Sequence, residues 1–304
     1  MKQRMKRIVH RILKYFGYRI AKTPTPNGTP LLSRSRDYQA ARIWHRPVLV
    51  TVDAQRLRWK AGRIGYTLQH PFVLAVDRAH ADPNPVDAIQ KVLASYYRLA
   101  HPRAYSDIAE ECAPQSRSMP RPSTSHVVFW PWEKEPIVET PVLTPVFVED
   151  RLEMLPSQIH GVQHWGPVSE SKLRTEVKKL DDLWRSVLRR GYRPVEYRAG
   201  GHIEGIVLRR ANRWVVVVDQ GQHRAAVLRA LGWQHLDVVI SDVIDFDDLE
   251  FYPLVADGTY DIDCARAILN AFIDGKPSPF LSKWVQTVST ELRSSGGQSV
   301  GPLG

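Results

Sequence analysis

The sequence predicts an α+β protein, and two stretches of the chain carry that prediction. In the first, four consecutive valines at 215–218 indicate a buried strand, apolar residues at helical spacing follow over 225–231, and a second β-branched strand covers 236–240. In the second, an amphipathic helix begins at Ser169 or Ser171, either of which is a typical N-cap, and ends at Gly191. The first stretch is therefore a strand–turn–helix–strand unit, and the second is a long helix with one face towards a core.

Shorter apolar runs complete the outline of the secondary structure. Strands are expected at 47–52, 71–76 and 203–209, where β-branched and other apolar residues are consecutive. Helices are expected at 85–97 and 263–273, where apolar residues recur three and four positions apart.

Composition and turn signals divide the chain into six segments. They are a basic amphipathic helix (1–22), a linker rich in proline, serine and threonine (23–35), an N-terminal α+β segment (36–144), a second α+β domain (145–245), a short helical C-terminal segment (246–290) and a disordered tail (291–304).

The positive charge of the chain is concentrated at its N-terminus. The 304 residues include 42 lysines and arginines and 32 aspartates and glutamates, for a formal net charge of +10. Eight of the cations lie in residues 1–22, which contain no acid, so the rest of the chain carries only +2 (10 − 8). A nucleic-acid-binding protein is expected to carry a basic patch on its body. Nucleic acid is therefore not the expected partner.

Residues 1–22 combine these cations with apolar residues at three- and four-residue spacing, which is typical of a basic amphipathic helix. Such a helix binds the anionic surface of a membrane. Packing against the body of the protein or a partner, and contact with nucleic acid, are the alternatives. The predicted location is cytoplasmic, peripheral to the inner membrane.

The chain contains two cysteines, Cys112 and Cys264, and their spacing matches no metal site. A disulfide framework is not expected, and a reducing cytosol is the favoured compartment.

Residues 221–224, Gly-Gln-His-Arg, begin the helix that follows the valine strand. The first backbone N–H groups of a helix have no partner within it, and the helix dipole favours negative charge there. Gly221 permits close approach of a ligand to the backbone, and the guanidinium of Arg224 can hold two phosphate oxygens at once. This segment therefore predicts a phosphate-binding site, with an ordinary helix start as the alternative.

The order of elements over residues 166–245 resembles that of the ParB/sulfiredoxin superfamily. It runs long helix, glycine, strand, strand, Gly-x-His-Arg helix, Leu-Gly pair and strand. The matching residues are Gly191, Pro194, Asp219, Gly221, His223, Arg224, Ala225, Leu231 and Gly232. The resemblance implies that the 145–245 domain binds nucleotide phosphates at this helix start. Members of the superfamily include CTP-binding partition proteins, sulfiredoxin and a free-serine kinase.

Two features narrow the activities that the resemblance implies. Sulfiredoxin needs a cysteine at the second position of Gly-Cys-His-Arg, and Gln222 cannot replace a thiolate nucleophile. Partition proteins need a helix-turn-helix after this domain, but the chain beyond Ile240 begins acidic and shows no basic recognition helix. Nucleotide binding remains, with or without phosphoryl transfer.

Candidate site residues follow from the motif and its surroundings. The candidate catalytic residues are Asp219 and His223. Asp219 would bind Mg²⁺ or accept a hydroxyl proton, and its alternative role is an Asx turn into the helix. The candidate nucleotide-binding residues are Gly221, Gln222, His223, Arg224, Ser169, Lys172 and His202.

Two of these assignments have simple structural alternatives, and no residue is expected to bind a metal ion other than the Mg²⁺ that accompanies the nucleotide. Ser169 also fits a plain N-cap, and Gln222 fits a helix cap. His160 and His164 have the i, i+4 spacing of a zinc protease, but that motif needs a glutamate where this chain has Gly161.

The expected function is binding of ATP or CTP, with Mg²⁺, at the bacterial inner-membrane surface. If the protein is an enzyme, it is expected to be a nucleotide-dependent phosphotransferase, that is, a kinase. In general style the chain also resembles proteins encoded among bacterial surface-polysaccharide genes, which implies a role in polysaccharide biosynthesis. The alternatives are a non-catalytic binding or scaffold module, and a ParB-like DNA-binding protein or nuclease.

Overall fold

The computed structural model describes residues 34–112, 130–133, 164–194 and 201–295. The predicted basic helix (1–22) and all but the last two residues of the predicted linker lie outside the described residues.

Five strands and eight α-helices make up the regular structure of the described residues, together with short 3₁₀ turns. The strands are β1 (Val48–Asp53), β2 (Leu57–Trp59), β3 (Ile203–Arg210), β4 (Arg213–Gln220) and β5 (His235–Asp245). The helices are α1 (Gln39–Trp44), α2 (Pro71–Ala81), α3 (Pro85–Leu99), α4 (Glu170–Arg190), α5 (Gln222–Ala230), α6 (Pro253–Ala256), α7 (Ile262–Asp274) and α8 (Ser282–Ser295).

The strands form one mixed sheet in the order β1-β5-β3-β4-β2. β1 pairs antiparallel with β5, β5 parallel with β3, β3 antiparallel with β4, and β4 parallel with β2. The α+β fold class is therefore confirmed.

The strands of the predicted 36–144 segment are the two edges of this sheet. β1 covers β5 and β2 covers β4, so the predicted segments 36–144 and 145–245 share a single sheet. The physical reason is that β4 and β5 would otherwise leave a row of unpaired backbone groups along each edge.

The strand expected at 71–76 is wrong, because these residues form the first turns of α2. Pro71 occupies the first turn, where a missing N–H costs nothing, and Nδ1 of His70 caps the helix by accepting from the N–H of Phe72 at 3.2 Å. All six residues are buried. A continuous apolar run has no periodicity that separates a buried helix from a buried strand.

The long helix is confirmed with both of its predicted ends. The hydroxyl of Ser169 accepts from the N–H of Lys172 at 3.1 Å, and Gly191 ends the helix at φ 71°. The C-terminal segment is helical as expected, but α8 continues to Ser295, so the tail predicted from residue 291 is helical at its start. The rest of that tail lies outside the described residues.

Cys112 and Cys264 form a disulfide, contrary to the expectation from the cysteine count. Their Cα atoms are 5.3 Å apart although 152 residues separate them in sequence. The bond joins the 3₁₀ turn Glu110–Cys112 to the first turn of α7. Pairing across such a separation depends on tertiary contacts, which spacing alone does not reveal.

The described helices include none that is both long and apolar enough to cross a bilayer.

Candidate functional site

The candidate site lies at the end of the sheet that is formed by the carboxyl ends of β2 and β4, and we call this end the sheet edge. These strands run parallel with Trp59 opposite Val218, so the next residues, Lys60 and Asp219, emerge side by side. Nζ of Lys60 lies 2.6 Å from Oδ1 of Asp219. The helix α5 starts at this same edge, directly after β4.

The start of β3 reaches the same edge because β3 runs antiparallel to β4. The carbonyl of His202 accepts a hydrogen bond from Nη1 of Arg224 at 2.7 Å. Gly221 has φ 80°, and a Cβ there would lie 3.0 Å from Cα of Ile203 and 3.1 Å from the His202 oxygen. A glycine is therefore needed for this close approach, which places the Arg224 guanidinium beside the helix start.

The N-terminus of α5 has no side-chain cap in the part of the chain that the structure describes. The first hydrogen bond of the helix runs from the N–H of Ala225 to the carbonyl of Gly221 at 2.9 Å. The N–H groups before it belong to the class that anions satisfy at helix starts. Phosphate binding at this helix start stays a prediction.

The side chain of Gln222 points into the protein rather than towards solvent. Its side chain is buried, and Oε1 accepts from the indole N–H of Trp59 at 3.0 Å. Within the described part of the chain its amide does not cap the helix, and its carbonyl oxygen is bonded to Trp59 rather than free for the predicted nucleotide. It anchors α5 to the end of β2.

His223 belongs to a buried charge cluster with α4. Its Nε2 lies 2.9 Å from Oε2 of Glu176, whose side chain is fully buried. Nζ of Lys172 lies 3.1 Å from Oε1 of Glu176, and Nζ of Lys179 lies 3.5 Å from the same oxygen. Burial raises the pKa of Glu176, but the hydrogen bond from His223 and its attraction when protonated, together with Lys172 and Lys179, outweigh burial. The pKa of Glu176 is therefore lowered well below its usual value. The carboxylate is therefore ionised.

Lys60 carries a second group of charges at the same edge. Its ammonium lies 2.5 Å from Oε1 of Glu133 and 2.6 Å from Oδ1 of Asp219. Burial lowers the pKa of Lys60, but the two carboxylates outweigh burial and raise it. Lys60 is therefore a charged cation at the end of β2, and half-exposed Asp219 is its partner.

His164 lies between these two groups of charges. Burial and, to a lesser extent, the charge of Lys60 lower the pKa of His164 to about 4, although Glu176 acts in the opposite direction. Nδ1 of His164 is buried and has no hydrogen-bond partner within the described ranges. His70 is fully buried nearby, and burial lowers its pKa well below its usual value, as does repulsion from His223 and His164 when they are protonated. Both imidazoles are neutral at pH 7.

The predicted site residues separate into two sets. In the first set, Gly221 and Arg224 meet the carbonyl of His202 at the start of α5, Asp219 lies beside Lys60 after β4, and His223 contacts Glu176. The second set serves the structure: Ser169 caps α4, Lys172 is buried against Glu176, and Gln222 is buried against Trp59.

Sequence reasoning missed Lys60, Glu133, Glu176 and His70, and weighed His164 only as a metal ligand. Each is a single polar residue in a separate segment, so no local motif marks them. The signal that was available is the position of Lys60 directly after a strand. No group of three or more histidine, cysteine or acidic side chains is arranged to hold a metal ion among the residues described.

Comparison of the chain with protein-family models, with curated proteins and with solved structures gave no match. The function of the site is therefore inferred from its own residues.

Proposed function

We propose that this protein binds the phosphates of ATP or CTP at the start of α5, in a ParB/sulfiredoxin-like domain. One observation carries the proposal: an uncapped helix start at Gly221 lies beside the guanidinium of Arg224. Backbone N–H groups and a forked cation together are the usual way in which proteins hold phosphate oxygens.

The positions of the other charges support the same ligand. Lys60 supplies a second cation at the edge from which α5 starts. The guanidinium of Arg224 uses one N–H for the His202 carbonyl, and its partly exposed side chain has further donors for a ligand. A negatively charged ligand here would thus meet the guanidinium of Arg224 and the positive end of a helix, while Lys60 is paired with Asp219 and Glu133.

Mg²⁺ would accompany the nucleotide, and the residues present suit it. This ion keeps several waters and usually binds through one or two carboxylates together with substrate phosphates. Asp219 and Glu133, whose carboxylates both reach Lys60, are the groups that would hold it. When bound, the ion would offset negative charge on the phosphates during transfer.

The order of the elements supports a ParB/sulfiredoxin-like domain. The long helix α4, the strands β3 and β4, the Gly-x-His-Arg start of α5 and the strand β5 follow one another as the sequence resemblance expects. Because the site also holds carboxylates and an imidazole, we propose a phosphotransferase that acts on a hydroxyl.

The place of action is a proposal from the sequence alone. The basic segment 1–22 would hold the protein at the cytoplasmic face of the bacterial inner membrane. The general resemblance to proteins of surface-polysaccharide gene clusters suggests a glycan-linked hydroxyl as the acceptor.

Calorimetry with ATP, CTP and their diphosphates, each with Mg²⁺, tests the proposal. Arg224→Ala is expected to weaken binding about tenfold or more, because a hydrogen bond to a charged group contributes roughly 1.5–3 kcal/mol. Arg189→Ala, an exposed arginine on α4, is the matched control and should bind as the wild type does. No binding by the wild type, or equal binding by Arg224→Ala, would contradict the proposal.

Two further outcomes separate the alternative functions. Nucleotide binding without release of phosphate would favour a non-catalytic module. A salt-sensitive shift of duplex DNA that survives deletion of residues 1–22 would favour a DNA-binding protein.

A further inference from the structure

We infer that Nδ1 of His223 is the atom that accepts the proton of an alcohol during phosphoryl transfer, and that Glu176 is the residue that positions it. This inference rests on the proposed function and deepens it, because it names the atom that receives the hydroxyl proton and the residue that positions it.

The contact with Glu176 determines which nitrogen of His223 carries the hydrogen. An ionised carboxylate has no hydrogen to donate, so it can only accept. The 2.9 Å contact between Nε2 of His223 and Oε2 of Glu176 therefore requires hydrogen on Nε2. In the neutral imidazole the lone pair is then on Nδ1, which is the form a general base needs.

The imidazole is also held in place. Glu176 is fully buried and is fixed by Lys172 at 3.1 Å and Lys179 at 3.5 Å. The ring of Phe72 stacks on the ring of His223, with centroids 4.5 Å apart and planes 17° from parallel. One edge and one face of the imidazole are thus occupied, which leaves Nδ1 in a defined direction.

The position of His223 suits proton transfer beside bound phosphate. It is the second residue of α5 and lies two positions after Gly221. Its side chain is 18% exposed. Asp219, the other predicted base, already accepts the ammonium of Lys60 at 2.6 Å. Because this carboxylate is already paired with a cation, the role of base goes to His223, and Asp219 stays beside Lys60 as a candidate ligand of Mg²⁺.

The presence of a positioned base indicates what the acceptor is. A carboxylate or phosphate acceptor is already ionised at pH 7 and needs no base, whereas an alcohol must lose a proton. In the step, the alcohol oxygen forms a bond to the γ-phosphorus while its proton moves to Nδ1. The bond from the γ-phosphorus to the β–γ bridging oxygen breaks, and the nucleoside diphosphate leaves with that electron pair. The proton then passes to solvent.

Charged and titratable groups surround His223 on several sides. Glu176, Lys172 and Lys179 lie on α4, His164 precedes α4, and His70 precedes α2. Histidine tautomers measured at one pH are therefore a cleaner test than a pH profile, since several of these groups titrate together.

The first experiment measures the tautomer in the intact protein. Long-range ¹H–¹⁵N spectra of ¹⁵N-histidine-labelled protein at pH 8 should show His223 with hydrogen on Nε2, and Glu176→Gln should shift it towards a mixture of tautomers. Hydrogen on Nδ1 in the wild type would overturn the inference. This result does not depend on any nucleotide.

The second experiment measures phosphoryl transfer from ATP and CTP with Mg²⁺, to water and to glycerol. His223→Gln keeps a donor for Glu176 but has no base, so turnover should fall about 10²- to 10⁴-fold, while the Kd for nucleotide changes less than about threefold. Glu170→Gln, an exposed carboxylate at the start of α4, is the matched control and should leave turnover unchanged. Glu176→Gln leaves Lys172 buried beside a neutral partner, so circular dichroism is used to check that this variant folds. The turnover of His223→Gln tests the assignment of the base even if Glu176→Gln does not fold.

The outcomes distinguish the two proposals. Failure of the wild type to bind any nucleotide would overturn the proposed function. Binding with turnover that His223→Gln retains within about threefold, a change of less than 1 kcal/mol, would overturn only the assignment of the base. Binding with no transfer to either acceptor would also count against the base.

Discussion

The indole N–H of Trp59 donates a hydrogen bond to Oε1 of Gln222 across 3.0 Å, and both side chains are buried. These residues are 163 positions apart in the chain, yet one ends β2 and the other begins α5. The bond therefore ties the edge strand to the helix start that faces the proposed ligand.

Gln222→Leu should destabilise the protein by roughly 1–3 kcal/mol, because the buried indole N–H of Trp59 loses its acceptor. Urea unfolding of the wild type, Gln222→Leu, Trp59→Phe and the double variant forms a double-mutant cycle. The cycle separates the coupling energy between the two side chains from the packing that each substitution loses by itself. A coupling energy near zero would mean that the bond contributes nothing to stability.

Gly221→Ala should destabilise the protein more than Gly232→Ala does. Both glycines have positive φ, 80° and 84°, so both variants carry a strain of roughly 1–2 kcal/mol. At Gly232 a Cβ meets nothing within 4 Å, whereas at Gly221 it meets Arg224, Ile203 and His202 at 3.0–3.1 Å. Thermal melts of the two variants give the comparison, and equal losses would show that the close contacts relax without cost.

The protein should lose stability as the pH falls from 6.5 to about 4, because His164 has a pKa of about 4 instead of 6.5. In that window the unfolded chain binds a proton that the folded chain does not, so the free energy of unfolding rises with pH. The shift corresponds to roughly 3 kcal/mol at most. His70, whose pKa is also lowered, adds to the same slope. The pKa of Glu176 is also lowered by folding, so the unfolded chain takes up a proton on this carboxylate before the folded chain does. The protein therefore loses further stability as the pH falls below about 4.5.

His164→Phe tests this assignment, because it keeps a ring beside Trp59 and removes the titrating group. Urea unfolding at intervals between pH 4 and 7 should show a shallower slope than in the wild type. His101→Gln, at an exposed histidine, is the control. A slope in His164→Phe equal to that of the wild type would refute the role of His164.

Removal of the disulfide between Cys112 and Cys264 should lower the free energy of unfolding by up to about 5 kcal/mol, since it closes a very long loop in the unfolded chain. Cys112→Ser with Cys264→Ser, compared with the wild type in urea without reductant, measures the loss. Alkylation of the denatured wild type followed by mass spectrometry checks the bond itself. Two alkylated thiols before reduction would show that the bond does not form.

Local sequence predicted the elements that surround the candidate site. The valine run is β4, Ser169 and Gly191 bound α4, and Gly221 starts α5 with Arg224 beside it. These features were accessible because strands, caps and glycine conformations depend on neighbouring residues in the chain.

Other parts could not be predicted in this way. The continuous apolar run at 71–76 fits a buried strand and a buried helix equally, and only its packing against α3, α4 and α5 settles the choice. The inward direction of Gln222 depends on Trp59, which belongs to a strand whose place in the sheet no local pattern specifies.

The sequence by itself determined the α+β class, the strand–turn–helix–strand unit and the glycine at the helix start. Only the tertiary structure decided that β1 and β2 complete the sheet, that Lys60 and Glu133 meet Asp219, and that Glu176 holds His223. The physical reason is range: backbone propensity and side-chain spacing act over a few residues, whereas the partner of a buried charge depends on which elements lie side by side after folding.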